Sequence, residues 1–207
     1  MSWYKRLQVR LLAVGCRRYD RSVEARKRSL LGGLRGTVVE IGPGAGANLR
    51  FYAPDVRWIG IEPNPWAHPY LTREAARVGL RGAEVREGTA EALPLGDATV
   101  DAVVSTLVLC TVPDVPAALA EARRVLRPGG RLVFVEHVAA PDGTRTRTAQ
   151  RLVRPVWPLL ADGCHPDRDT ERAIRAAGFA HVAIERFRAP VPVIAPHIAG
   201  VATVAGG

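Results

Sequence analysis

The sequence predicts a doubly wound α/β sheet, and three observations carry that prediction. From Gly36 onward, short apolar runs rich in β-branched residues alternate with segments of helical spacing. That order implies right-handed crossovers between parallel strands, with helices on both faces. The first run, Thr37 to Ile41, feeds straight into a glycine-rich turn, as a buried strand leading to a loop does. Two further runs come last in the order, where such a sheet commonly gains an antiparallel edge.

The elements follow in order. Met1 to Leu34 interleaves Trp3, Tyr4, Leu7, Leu11, Leu12 and Val14 with arginines, which predicts one or two amphipathic helices forming an N-terminal helical cap over residues 1–34. Residues 35–207 form the main domain. Thr37 to Ile41 is the first strand, with a helix expected from about Ala47, and Arg57 to Ile61 is the second strand, ending at Glu62. Pro65 to Gly79 reads as a helix and Glu84 to Arg86 lies in a short third strand. Val100 to Leu107 is an apolar strand, Val115 to Leu126 a helix closed by the turn Pro128-Gly129-Gly130, and Arg131 to Glu136 the next strand. Beyond it come helical stretches around Thr144 to Leu160 and over Asp167 to Ala177, the latter ended by Gly178. The late strands are His181 to Arg188 and about His197 to Val204, giving seven in all.

Composition narrows the function. At 207 residues, 47% apolar and 24% charged, the chain suits one well-cored domain. The formal net charge of +9 invites a nucleic-acid reading until its distribution is examined. From Met1 to Arg28, nine Lys or Arg stand against Asp20 and Glu24, a net of +7. The basicity is therefore local, and no nucleic-acid partner is assigned. One reading of this segment is a solvated helix packed across the domain mouth. The other is peripheral contact with an anionic membrane through residues 1–28. No apolar run is long enough for a transmembrane helix, and Lys5, Arg6 and Arg10 interrupt any signal-peptide core, so a cytoplasmic protein is expected. Cys16, Cys110 and Cys164 are odd in number and far apart, which argues against a disulfide framework and a structural zinc site. His165, His181 and His197 show no metal spacing, so no metal is assigned.

The strongest chemical signal is Glu40-Ile41-Gly42-Pro43-Gly44-Ala45-Gly46 at the carboxyl end of the first strand, the edge where open α/β sheets bind ligands. By itself it also satisfies a dinucleotide pattern through Gly42, Gly44 and Ala47. Glu40, two residues ahead of the glycines, favours a ligand bearing an ammonium group and opposes a pyrophosphate by like charge. Glu62 ends the second strand, where a carboxylate can accept both hydroxyls of a ribose.

Gly88-Thr89-Ala90-Glu91-Ala92-Leu93-Pro94 follows the third strand and Leu126-Arg127-Pro128-Gly129-Gly130 precedes the fifth. With these, the chain resembles the class I S-adenosylmethionine-dependent methyltransferases. Val108-Leu109-Cys110, Glu136-His137-Val138-Ala139-Ala140, Asp162-Gly163-Cys164 and Pro196-His197-Ile198 are similar to segments of the methyltransferase-like thiol S-methyltransferases. A more distant resemblance is to the ubiquinone and menaquinone C-methyltransferases. The resemblance implies a seven-stranded, mostly parallel, Rossmann-like sheet and S-adenosyl-L-methionine as cofactor.

It also implies roles for individual positions. Glu40 would sit near the cofactor's amino group or the loop that holds it, and Gly42, Gly44 and Gly46 would line its methionine and ribose. Glu62, followed by Pro63, would take the ribose hydroxyls, Thr89 and Ala90 would flank the adenine, and Thr106 and Leu107 would meet the methionine end. Thr89 stands where many such enzymes carry Asp, and a basic amphipathic segment stands where the membrane-bound thiol methyltransferases carry a hydrophobic anchor.

For catalysis the candidates are His137 and Asp162. His137 continues the alternation of Val133 and Val135 and faces either the cleft, as a base or hydrogen-bond partner, or the core. Asp162 and Cys164 bracket a glycine in a loop that either covers the site or is a structural turn with a buried thiol, and Cys110 reads as a small core residue. The activity implied is methyl transfer to a small hydrophobic acceptor, a thiol sulfur first. The alternatives are a quinone or phenol, a lipid headgroup amine, or a module that binds the cofactor without turnover.

Overall fold

The structure, a computed structural model, describes residues 17–207. The expected N-terminal amphipathic segment up to residue 16 lies outside the described residues. Its continuation is α1 (Arg17–Leu31). Seven strands follow: β1 (Thr37–Ile41), β2 (Arg57–Ile61), β3 (Glu84–Arg86), β4 (Val100–Thr106), β5 (Leu126–His137), β6 (His181–Arg188) and β7 (Pro196–Thr203). Interspersed with them are α2 (His68–Arg77), α3 (Val115–Val125), α4 (Arg145–Val153), α5 (Trp157–Leu160) and α6 (Thr170–Ala176).

The sheet order is β3-β2-β1-β4-β5-β7-β6. All pairings from β3 to β5 are parallel, and β7 runs antiparallel to both β5 and β6. The strand order reverses direction between β1 and β4, so the carboxyl ends of those strands form the switch point at which open α/β sheets bind ligands.

Alternation along the strands builds two cores. Val39, Ile41, Ile59, Ile61, Leu132 and Phe134 pack with Ala118, Leu119 and Ala122 of α3 and Ile174 of α6. Val38, Trp58, Ala102, Val104 and Val133 pack on the opposite face with Leu71 and Ala75 of α2 and with Leu31 and Leu34. Tyr19 and Val23 of α1 meet Val135 and Ala199, so α1 is a layer over β5 and β7. Arg26 of α1 pairs with Glu185 of β6 and lies 4.1 Å from the Phe187 ring centre.

Three expectations need correcting. The helix expected from about Ala47 is one 3₁₀ turn, Leu49–Phe51, because Gly44 and Gly46 hold positive φ just ahead of it and Pro54 soon follows. Pro128-Gly129-Gly130 does not separate helix from strand. β5 begins at Leu126, and the three residues sit in a register shift between the Val100–Leu126 and Ala102–Arg131 pairs. Thr144 to Leu160 is two helices, α4 and α5, with Pro155 between them.

Candidate active site

The loop after β1 is shaped by glycines that no other residue would serve. Gly42 has φ +56°, and a Cβ there would come 2.8 Å from Val108 Cγ2. Gly44, with φ +55°, points its N–H at Glu62, which accepts it through Oε2 at 3.1 Å. Glu62 Oε1 accepts from Asn64 N at 2.9 Å. The side chain is buried by the loop it fastens, with 7% of the residue exposed. Each carboxylate oxygen still has a second lone pair, so two more donors can be accepted. Burial pushes the Glu62 carboxyl up from its ordinary value, backbone N–H groups of Asn64 and Gly44 oppose that rise, and the charge of Asp162 adds to it.

Glu40 faces inward. Its Oε1 accepts from Asn48 Nδ2 at 2.8 Å, and its Oε2 accepts from Tyr52 Oη at 2.8 Å and Trp58 Nε1 at 3.0 Å. Burial raises its carboxyl pKa, and the three donors with Lys27 counter that rise. Gly60 makes room for the arrangement, since a Cβ there would strike the Trp58 ring at 2.3 Å. Asn48 also donates to Thr106 Oγ1 at 3.0 Å, tying the glycine loop to the end of β4.

Gly42, Gly44, Gly46, Glu62 and Thr106 therefore gather at the switch point, with Glu40 behind them. Thr106 and Leu107 are half-buried. Leu107 takes φ +56° and donates its N–H to Val135 O at 3.0 Å, a conformation costly for a branched side chain and concentrated at functional sites. Pro63 is exposed beside Glu62. Glu62 N donates to Arg86 O, so the loop after β3, with exposed Thr89 and buried Ala90, follows directly.

The two catalytic candidates part company. Asp162 is exposed at φ +50° and its charge reaches Glu62. His137 is 1% exposed, and its Nε2 lies 3.0 Å from Cys164 Sγ. Cys110 completes a group in which the three ligand-type atoms all lie within 4.8 Å of one another. The proximity of Cys110 and His137 holds the Cys164 thiol well below the ordinary range, while the proximity of Cys164 together with burial pushes Cys110 up.

Sequence reasoning missed the cradle of Asn48, Tyr52 and Trp58 around Glu40, and it missed Glu136. That carboxylate accepts from Ser105 Oγ at 2.6 Å, Val108 N at 3.1 Å and Leu109 N at 3.3 Å, and so fixes the loop after β4. One acid in the apolar run Val133 to Val138 was a visible signal. The meeting of Cys110 with Cys164 had none, because it is made only by tertiary packing.

A Rossmann-like sheet in this order, with a glycine turn after β1 and a carboxylate closing β2, defines a class I methyltransferase. The comparisons agree. A family model described as a methyltransferase domain matches residues 39–134. The thiol S-methyltransferase TMT1B of Homo sapiens is 36% identical over 209 residues, covering 92% of this chain and 83% of that protein. The thiol S-methyltransferase TMT1A of Homo sapiens is 34% identical over 219 residues, covering 97% and 85%. The crystal structure of a SAM-dependent methyltransferase from Aquifex aeolicus superposes with a TM-score of 0.64 at 17% identity, covering 97% of this chain and 98% of that one. The chain belongs to the S-adenosylmethionine-dependent methyltransferase family, is an enzyme of that class, and uses S-adenosyl-L-methionine as its cofactor.

Proposed function

We propose that this methyltransferase transfers its methyl group to the sulfur of a small hydrophobic thiol. The observation that carries the reading is the identity to two thiol S-methyltransferases over nearly the whole chain, so that the segments beyond β5 are included. The local chemistry supports it. Bound at the switch point, S-adenosylmethionine supplies a methyl already activated on a sulfonium sulfur. The loop suits it: a Cβ at Gly42 would strike Val108 and push the loop from its place, and Glu62 keeps acceptor capacity for two ribose hydroxyls.

On this reading Gly42, Gly44 and Gly46 admit the ligand's methionine and ribose to the backbone, while Thr89 and Ala90 flank its adenine. Thr106 and Leu107 meet the methionine end, and Asp162 lies near enough for its charge to act on Glu62. What remains for the chain is to align the acceptor and keep water out. A thiol with pKa near 8.5 is a few per cent ionised at pH 7, so its proton can leave to solvent without a strong base. Transfer of trideuteromethyl from labelled cofactor to a panel of aliphatic thiol, aryl thiol, demethylated quinone, phenol and amine tests this. Methyl thioethers should form first. Product only from the quinone, phenol or amine would overturn the thiol reading and leave the family standing.

A peripheral membrane contact belongs to the same proposal. Among the described residues no helix is long and apolar enough to cross a membrane, but exposed Leu152, Val156, Leu159 and Leu160 lie beside Arg151 and Arg154. This surface adds to the basic N-terminal segment. Because Tyr19 and Val23 are buried, the N-terminal test cuts after residue 16. Anionic vesicles should float the full chain better than the truncated one and release it as salt rises. Absence of vesicle binding by either form would count against the contact.

A further inference from the structure

We propose that Cys110, His137 and Cys164 form a zinc site with two thiolates and one imidazole as its ligands. The three come from separate places in the fold: the loop after β4, the last residue of β5 and the loop after α5. Their ligand atoms all lie within 4.8 Å of one another, with His137 Nε2 and Cys164 Sγ at 3.0 Å. A tetrahedral zinc ion, with Zn–S near 2.3 Å and Zn–N near 2.0 Å, places its ligand atoms about 3.5–3.8 Å apart. Shifts of under about an ångström therefore seat the ion.

The chemistry of the donors points the same way. Two sulfurs and an imidazole form a soft set that selects zinc over calcium or magnesium. All three residues are buried, at 2%, 1% and 8% exposed for Cys110, His137 and Cys164. Two thiolates neutralise a divalent ion, which removes the charge cost of burial. Cys110 Sγ donates towards Leu107 O, 3.5 Å away. Uptake of the ion releases to solvent the proton of each cysteine that enters as a thiol, and no electrons are exchanged.

Among the described residues no fourth His, Cys, Asp or Glu joins the cluster. A three-ligand site keeps one coordination position open, as catalytic zinc sites do. Resting on the thiol reading above, that position would take the acceptor's sulfur and hold it as a thiolate beside the Leu107 loop. The site itself does not depend on that reading.

The test uses the reduced full chain, stripped with a chelator, equilibrated with Zn²⁺ and desalted, with metal measured by mass spectrometry. One zinc per chain should remain, and Cys16→Ser should keep it. Cys110→Ser, Cys164→Ser and His137→Gln should each fall to about a tenth of that occupancy or less. Circular dichroism confirms that each variant is folded. Co²⁺ in place of Zn²⁺ should give the intense visible bands of a tetrahedral sulfur site, lost in Cys164→Ser, with bands that shift when an aryl thiol is added. A reduced wild-type chain that retains no zinc, or folded variants that retain it fully, would overturn the site. Cobalt bands that ignore added thiol would overturn only the role of the open position, and failure of thiol methylation with zinc bound would overturn the thiol reading and leave the site.

Discussion

Glu62 and Glu40 show how two buried carboxylates in one site divide their work. Glu62 accepts two backbone N–H groups and retains capacity for a ligand, whereas Glu40 spends both oxygens on Asn48, Tyr52 and Trp58. Glu62→Ala should weaken S-adenosylmethionine binding by about 1.5–3 kcal/mol, the range for hydrogen bonds to a charged group, which titration calorimetry reads as a loss of roughly tenfold to a hundredfold. Unchanged affinity in the folded variant would mean that the ribose is held elsewhere. His197 supplies a second prediction at this scale. Its Nδ1 lies 3.1 Å from Ala195 O, its Nε2 has no hydrogen-bond partner among the described residues, and the rings of Tyr19 and Phe187 pack around it. Burial depresses its pKa to about 4, with the nearby His137 adding to the fall. The unfolded chain takes up this proton first, near pH 6.5. The stabilising effect is therefore full above that pH and lost as the pH falls towards 4, for a total of about 3 kcal/mol. Thermal melts of His197→Gln should show a flatter decline over that window than the wild type, and parallel curves would contradict this.

The same logic of space governs whole elements. β7 lies between β5 and β6, and a Cβ at Gly200 would stand 2.0 Å from the Ala183 carbonyl oxygen. Backbone cannot yield there as a flexible side chain would, so Gly200→Ala should cost at least about 3 kcal/mol and separate β6 from the sheet. Denaturant melts that match the wild type would show that the strand pair can relax. The strands themselves were legible because β-branched runs alternate with helical spacing and end at glycine or a carboxylate. Boundaries were less so. The helix expected from Ala47 is a single 3₁₀ turn, since left-handed glycines and Pro54 override the apolar pattern. β5 begins at Leu126 because a register shift absorbs the Pro128-Gly129-Gly130 turn that punctuation alone would place outside it.

At the scale of the whole molecule, the sheet sets what could be read and what could not. Glu40, Gly42, Gly44 and Glu62 lie in motifs at consecutive strand ends and are visible from spacing, whereas Thr106 is reached only through the family resemblance. Cys110, His137 and Cys164 come from distant segments, and neither the meeting of the two thiols nor the orientation of His137 has a local sequence signal. On the proposed function, the atom methylated is sulfur. An equimolar mixture of an aryl thiol and the phenol of the same shape, given trideuteromethyl cofactor and the full chain, tests it most directly, because the two acceptors differ only in the reacting atom. A phenol with pKa near 10 needs a dedicated base, whereas a thiol does not. Mass spectrometry should find the label on sulfur in at least about tenfold excess over oxygen. Label predominantly on oxygen would contradict the claim.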